Sequence, residues 1–524
     1  MSTTTTIYKD KLSISKIRIC FLHPDLGLGG AERLIVDAAS GLASRGHSIS
    51  IFTNHYDSGR SFAETRDGSF DIYTRGDWIP RSLFGGLHIL CANFQNAWLA
   101  ISVSISSHLF GNNFDVIVCD QVSMSVPLIR LLLPSTAIVF YCHFPDQLLS
   151  KRSTSLMKIY RAPFDLLEEI TTGLADAIVV NSGFTSKTFL STFLRLGFHR
   201  PQILYPCVAV QSSSSSLLVD TKSNEKITEN KGKMVFLSIN RFERKKNIGL
   251  AIRAVGLLRK MLSSSEFEKV HLIIAGGYDQ RLPENVEHHL ELIDIAKDVG
   301  LVDILAKKGP GRRKSSGSIN TSVQETSSLD FKTDLESIKT VIPGWSNAPI
   351  APNYDQVQVG SKVTFIRSFS DLQKAEILRA CSAVLYTPEN EHFGIVPLEC
   401  GAARRPVIAC NSGGPLESII HWKTGFLCDP TPDSFATAMA TLVKKPDVAE
   451  AMGIDGRLHV EKSFSRDKFS AVFETILVDT MNTLWSTRRS RCLQRFGLFA
   501  IMCSLFIIPI IPLLYLYLNG SFEN

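Results

Sequence analysis

The stretch Lys16–Leu42, KIRICFLHPDLGLGGAERLIVDAASGL, decides the fold. It opens with the apolar run Lys16 to Leu22, the right length for a short buried strand. The turn Gly27-Leu28-Gly29-Gly30 follows, and Leu34, Ile35, Ala38, Ala39 and Leu42 then recur at the spacing of one helix face. Further strand-like runs at Ser48–Thr53, Val116–Cys119, Ala137–Tyr141 and Ala177–Asn181 alternate with helical stretches. This β-α-β punctuation predicts a mainly parallel sheet covered on both faces, an α/β doubly wound domain over residues 17–210.

Five consecutive serines and then mixed charges mark residues 211–233 as a linker. A second series begins at Met234–Ile239 and continues through Val270–Ala275, Val363–Ile366, Ala383–Tyr386 and Pro406–Ala409, which predicts a similar α/β domain over residues 234–476. Lys307–Gly360 is poor in apolar residues and rich in Ser, Thr, Asn and charge, as expected of a surface insertion. Leu83–Phe110 is a long apolar stretch interrupted by His88, Asn93, Gln95 and Asn96. Those polar groups are expensive in hydrocarbon, which favours a helix in the membrane interface or against the core over a transmembrane span.

At 524 residues, 44% of them hydrophobic, the chain can fill two or three cores. A net charge of +6, without a basic stripe interleaved with aromatics, argues against nucleic acid as a partner. The eleven cysteines form no C-x-x-C pair and no cluster at zinc spacing, so neither a disulfide framework nor a structural metal is expected, and a reducing compartment suits the globular part. The polar segment 1–16 lacks the pattern of a secretory signal, so no cleaved export signal is expected. Phe496–Leu518 carries no charged residue and would span about 35 Å as a helix, against a hydrocarbon core of ~30 Å. It is read as a membrane segment, with Pro509 and Pro512 compatible with a kink. The basic juxtamembrane segment 477–495, with Arg488, Arg489, Arg491 and Arg495, places itself and the bulk of the chain in the cytosol by the positive-inside bias. A short tail, 519–524, completes the sequence.

Several turns could carry chemistry. Gly29 and Gly30, between a strand and a helix start, let backbone N–H groups approach a phosphate or a sugar, although a tight turn with close packing would look the same. The spacing is not the dinucleotide fingerprint. Arg241 and Lys246, in Asn240-Arg-Phe-Glu-Arg-Lys-Lys-Asn247, follow the first strand of the second domain, where ligands of open sheets bind; two cations there suit a diphosphate, and the alternative is a solvated basic turn. In Glu391-His-Phe-Gly-Ile-Val-Pro-Leu-Glu399, Pro397 is placed to start a helix. That puts Glu391 in the loop and Glu399 in the first helical turn, with the backbone of Phe393, Gly394, Ile395 and Val396 available to an anion. A helix-dipole partner and a surface acid are the plainer explanations of the two carboxylates. Gly413 and Gly414 make a third turn, and His143, in Tyr141-Cys-His-Phe-Pro-Asp146, closes an apolar strand where an orienting or proton-handling group would sit.

Taken together, Gly29-Gly30, Arg241 with Lys246, Glu391 with Glu399 and Gly413-Gly414 resemble the retaining glycosyltransferases of the GT-B fold that carry a Glu, seven residues, then Glu. The resemblance spans about Ile17–Pro206 and Met234–Ile476. It implies two Rossmann-like domains facing a cleft and a nucleotide-sugar donor. By the same resemblance Arg241 and Lys246 hold the donor diphosphate, Glu391 contacts the transferred sugar, Glu399 holds the ribose hydroxyls and His143 lies near the acceptor. His23-Pro-Asp-Leu-Gly-Leu-Gly-Gly-Ala-Glu-Arg-Leu34, with the runs quoted around His143 and Arg241, is similar to the α-1,3/1,6-mannosyltransferases of dolichol-linked oligosaccharide synthesis. This implies GDP-mannose as donor, dolichol-pyrophosphate-linked mannosyl-chitobiose as acceptor and the cytosolic face of the endoplasmic reticulum membrane as the place. Other glycosyltransferases of the pathway are further partners it suggests. No cofactor and no metal are expected, since the sequence has no D-x-D and the two cations would supply the charge. Another cytosol-facing transferase of the same fold, and a membrane-tethered nucleotide-sugar-binding protein without turnover, are the alternatives.

Overall fold

The computed structural model of the chain describes residues 16–82, 87–150, 155–197, 199–209, 232–302, 335–343, 345 and 357–484. The linker as far as residue 231, much of the expected insertion, and everything from residue 485, including residues 485–495 of the basic segment and the apolar run 496–518, lie outside the described residues. Two compact units divide between Cys207 and Val208, and again between Ser465 and Arg466.

The first unit is a seven-stranded parallel sheet of β1 (Arg18–Asp25), β2 (Ser48–His55), β3 (Asp71–Thr74), β4 (Val116–Asp120), β5 (Ala137–Cys142), β6 (Ala177–Val180) and β7 (Gln202–Ile203), in the order β3-β2-β1-β4-β5-β6-β7. Strand alternation builds a core on each face. Ile19 and Phe21 of β1 join one apolar cluster, and Cys20 and Leu22 join the other. Strand order reverses between β1 and β4, which opens a crevice at their carboxyl ends.

Helix α1 (Gly30–Ser44) buries Leu34, Ile35, Ala38, Ala39 and Leu42, the face predicted from their spacing. It packs on a helix over residues 466–484, whose Phe469, Phe473, Ile476 and Leu477 enter the same cluster as Phe21. The approach is close enough that a Cβ at Gly41 would fall 1.8 Å from Ser470 Oγ. Arg466 reaches Asp37 at 2.7 Å, and His47 Nε2 lies 2.8 Å from Glu474. Residues 466–476, assigned from sequence to the second domain, and 477–484, assigned to the juxtamembrane segment, therefore belong to the first. The chain returns to it after the second unit is complete, a long-range contact that local pattern does not signal.

Helix α2 (His88–Phe110) is, by length and composition, able to cross a membrane. One face nevertheless packs on the first unit's core through Ala97, Leu99, Ala100 and Val103. Two of the polar residues that argue against a span are used: Asn96 Oδ1 accepts the Ser125 N–H at 2.5 Å, and Gln95 Nε2 donates to the Ile79 carbonyl at 2.8 Å. Phe94, Trp98, Ile105 and Leu109 remain exposed.

The second unit carries β8 (Met234–Ile239), β9 (Val270–Gly276), β10 (Val357–Val359), β11 (Val363–Arg367), β12 (Ala383–Tyr386), β13 (Val407–Cys410) and β14 (Gly425–Cys428), in the order β10-β11-β9-β8-β12-β13-β14. All neighbours are parallel except β10, an antiparallel edge. Here the crevice lies between β8 and β12. Part of the expected insertion is built in. β10 joins the sheet, and the helix Leu335–Val341 leads Ile338, Val341, Ile342 and Trp345 into the core with Val235 and Leu237. A few apolar residues on one helix face suffice for this, and the Ser/Thr-rich average around them hides the spacing.

Candidate active site

In the second unit the candidate side chains sit at the carboxyl ends of β8 and β12. After β8 the chain is pinned by Phe242, which is fully buried against Tyr278 and His289, and whose carbonyl accepts from Asn285 Nδ2 at 3.1 Å. This anchor turns the flanking residues outward. Arg241 is 62% exposed and pairs with Glu243 at 3.0 Å. Lys246, only 13% exposed, closes a short 3-10 turn and crosses the crevice to Glu391 Oε2 at 2.5 Å. The Thr387 hydroxyl donates to the Lys246 carbonyl at 2.7 Å, so backbone and side chain are both held.

Beyond β12 the loop reaches a helix at Val396–Ala402, with Pro397 and Glu399 in its first turn as expected from sequence. Phe393 is buried, its ring 5.9 Å from Phe464. The Gly413-Gly414 turn lies directly against this loop. Gly413 has φ +63°, and a Cβ at Gly413 or Gly414 would come within 2.4 Å of the Glu391 carbonyl or 2.1 Å of the Phe393 carbonyl. The Gly414 N–H donates to the Glu391 carbonyl at 2.8 Å. These glycines thus shape the loop by letting backbone lie on backbone. Beneath it, burial first and then the Glu391 carboxylate push the Tyr386 phenol well above its usual range, so the ring stays neutral.

Two features of this site were not read from the sequence. Lys374, in the helix Asp371–Ala380, reaches Glu399 Oε1 at 2.5 Å. Glu399 Oε2 is buried and has no hydrogen-bond partner among the described residues. The Ser370-x-x-Gln373 capping box marks that helix start in the sequence, but nothing local says that Lys374 would meet Glu399.

In the first unit Gly29 caps α1, Gly30 begins it, and His143 follows β5. Asn181 Nδ2 donates to the His143 carbonyl at 3.2 Å, and the ring lies 4.8 Å from that of Tyr141. His143 Nε2 is 2.8 Å from Asp120 Oδ1, close enough for an ion pair although not aligned as a hydrogen bond. Asp120 Oδ2 in turn lies 2.6 Å from His23 Nδ1, and both side chains are fully buried. Burial opposes ionisation of Asp120, but the two histidines outweigh it and hold its carboxyl at about 2. Burial likewise works to lower the His23 pKa, and Asp120 raises it above the ordinary value. Neither Asp120 nor His23 was a candidate from sequence. Asp120 is the one charged residue closing an otherwise apolar strand, the only local signal available.

Among solved structures, sucrose-phosphate synthase (tll1590) from Thermosynechococcus elongatus is similar with a TM-score of 0.60 at 14% identity, over 89% of this chain and 100% of that one. HepE from Anabaena in complex with UDP gives 0.54 at 16% identity, over 88% and 100%. Residues 28–210 match Glycosyltransferase Family 4, and residues 219–303 and 330–459 match Glycosyl transferases group 1. Fold and site define a glycosyltransferase of the GT-B class, built from two Rossmann-like units. The chain is 43% identical over 464 residues to the human alpha-1,3/1,6-mannosyltransferase ALG2, covering 88% of this chain and 96% of the relative. The Saccharomyces cerevisiae ALG2 is 36% identical over 501 residues, covering 94% and 89%. The chain belongs to this alpha-1,3/1,6-mannosyltransferase family.

Proposed function

We propose that the chain transfers mannose from GDP-mannose to dolichol-pyrophosphate-linked mannosyl-chitobiose, adding α-1,3 and α-1,6 mannose with retention at the cytosolic face of the endoplasmic reticulum membrane. The observation that carries this reading is the pair of Lys–Glu contacts, Lys246–Glu391 and Lys374–Glu399, on the loop and helix turn beyond β12. Each carboxylate is held in place yet keeps capacity for a ligand. The buried Glu399 Oε2 suits a ribose hydroxyl, which would donate the hydrogen bond that none of the described residues supplies. Lys246, already fixed across the crevice, supplies a preorganised charge to the departing diphosphate, and Arg241 adds a mobile second cation. Backbone N–H groups of Phe393 to Val396 and the Gly413-Gly414 turn frame the same loop.

Glu391 acts on the mannosyl group. Its negative charge beside the sugar favours the oxocarbenium-like charge that develops as GDP leaves, and departure and attack take place on one face, which retains the α configuration. His143, in the acceptor-side unit, orients the acceptor sugars, and the Gly29-Gly30 turn of the same unit offers backbone N–H groups to the donor. The apolar run 496–518 anchors the chain, with Arg488 to Arg495 on the cytosolic side. Other transferases of the pathway are candidate neighbours on that membrane.

The test is turnover by the purified full-length chain with radiolabelled GDP-mannose, GDP-glucose or UDP-N-acetylglucosamine and a synthetic lipid-pyrophosphate acceptor bearing one mannose. Transfer from GDP-mannose alone is expected. Preferential transfer from either of the other donors would assign the site to a different transferase, and donor binding without turnover would favour a binding protein.

A further inference from the structure

His23, Asp120 and His143 form a row along the carboxyl ends of three adjacent strands, β1, β4 and β5. The outer member, His143, has a side chain 22% exposed, and the inner two are completely buried. Beyond His23 the row continues to Glu32 in the first turn of α1, whose Oε1 lies 4.0 Å from His23 Nε2. A fully buried carboxylate is costly unless its charge is met. Asp120 meets two histidines, one at each oxygen. A strand end needs no such group for folding, since an apolar residue would pack there without that cost. The row also sits where β1 and β4 part, the crevice at which open α/β sheets bind ligands.

We propose that Asp120, itself held by His23, is a positioning residue whose carboxylate, 2.8 Å from Nε2, orients the His143 imidazole towards the sugar. The inference rests on the reading of His143 as a sugar-orienting group. Asn181 fixes the His143 backbone and Tyr141 lies beside its ring, so the carboxylate has the remaining freedom to set, the ring's rotation. Glu32, partly exposed, stands at the far end of the row beside the glycine turn.

The experiment is a double-mutant cycle in the full-length enzyme with GDP-mannose and the lipid acceptor: Asp120→Asn, His143→Ala and the double variant. Asp120→Asn keeps the shape and removes the charge. It is expected to lower kcat by roughly 10- to 100-fold, with the KM for GDP-mannose within about 2-fold. In the His143→Ala background the same change is expected to cost less than about 2-fold, because the group it acts through is gone. Equal losses in both backgrounds would show a structural role and overturn the proposal, as would an unaffected kcat in the Asp120→Asn single variant. Normal turnover by His143→Ala alone would remove the parent reading and, with it, the reason for the row, and this outcome is recognised without any Asp120 variant. If Asp120→Asn does not fold, as judged by its melting transition and GDP-mannose binding, the same cycle with His23→Gln decides between a loss confined to enzymes that retain His143 and a loss independent of it.

Discussion

Glu391 and Glu399 belong to one loop and one helix turn, yet their surroundings differ in a way that separates the roles proposed for them. Glu399, paired with Lys374 and carrying an oxygen without a partner among the described residues, is suited to the proposed nucleotide contacts, made equally in ground and transition states. Glu399→Ala is therefore expected to raise the GDP-mannose KM more than it lowers kcat. Glu391→Gln keeps size and hydrogen bonding while removing charge, so it is expected to lower kcat with little change in direct GDP-mannose binding. Steady-state kinetics at saturating acceptor check both, and the reverse pattern would exchange the assignments. The two cations differ as well. Lys246 is enclosed and fixed on Glu391, whereas Arg241 is mostly exposed beside Glu243. A preorganised charge stabilises a leaving diphosphate better than a solvated one, so Lys246→Ala is expected to cost about 3 kcal/mol, on the order of a hundredfold in rate, and Arg241→Ala less. Equal losses in single-turnover rates would place Arg241 as close to the reaction as Lys246.

Elements show where the sequence was legible and where it was not. The central strands announced themselves because burial on both faces writes a continuous apolar run: Met234–Ile239 and Ala383–Tyr386 fall where they were expected. The edge strands β3, β7 and β10 did not, being short and, in β3 and β7, largely outside the core. Pro397 made the helix turn carrying Glu399 readable because it acts on its own neighbours. By contrast, Lys374 with Glu399 and Asp120 with His23 are pairings between distant positions, and no local period encodes them. The helix over 466–484 is the largest such case. Its Phe469, Phe473, Ile476, Leu477 and Leu484 are buried in the first unit's core, at roughly 1.5–3 kcal/mol each. Their sum rivals the stability of a whole domain. A chain ending at Ser465 is accordingly expected to leave the first unit unfolded, seen as rapid proteolysis within residues 17–207, while a chain ending at Thr487 resists. Comparable resistance of the two would mean that the returning helix is dispensable.

At the scale of the whole molecule, attachment to the bilayer is expected to be shared. The run 496–518 is the principal anchor proposed, and the outward face of α2 presents Phe94, Trp98, Ile105 and Leu109 as a weaker apolar contact. Removing residues 488–524 should release much of the protein while leaving a fraction bound. Carbonate-resistant association unchanged by the deletion would count against the tail. Membership of the alpha-1,3/1,6-mannosyltransferase family makes two linkages the expected output. The described residues contain one Glu-x7-Glu loop, with one Lys246–Glu391 pair to serve both. The most direct measurement is linkage analysis of the lipid-linked product made by the purified chain and by Lys246→Ala from GDP-mannose and the mannosyl-chitobiose acceptor. The wild-type product should carry one α-1,3 and one α-1,6 mannose, with both lost in parallel in the variant. A product of β configuration, or one linkage persisting at full rate in Lys246→Ala, would contradict retaining transfer at this site.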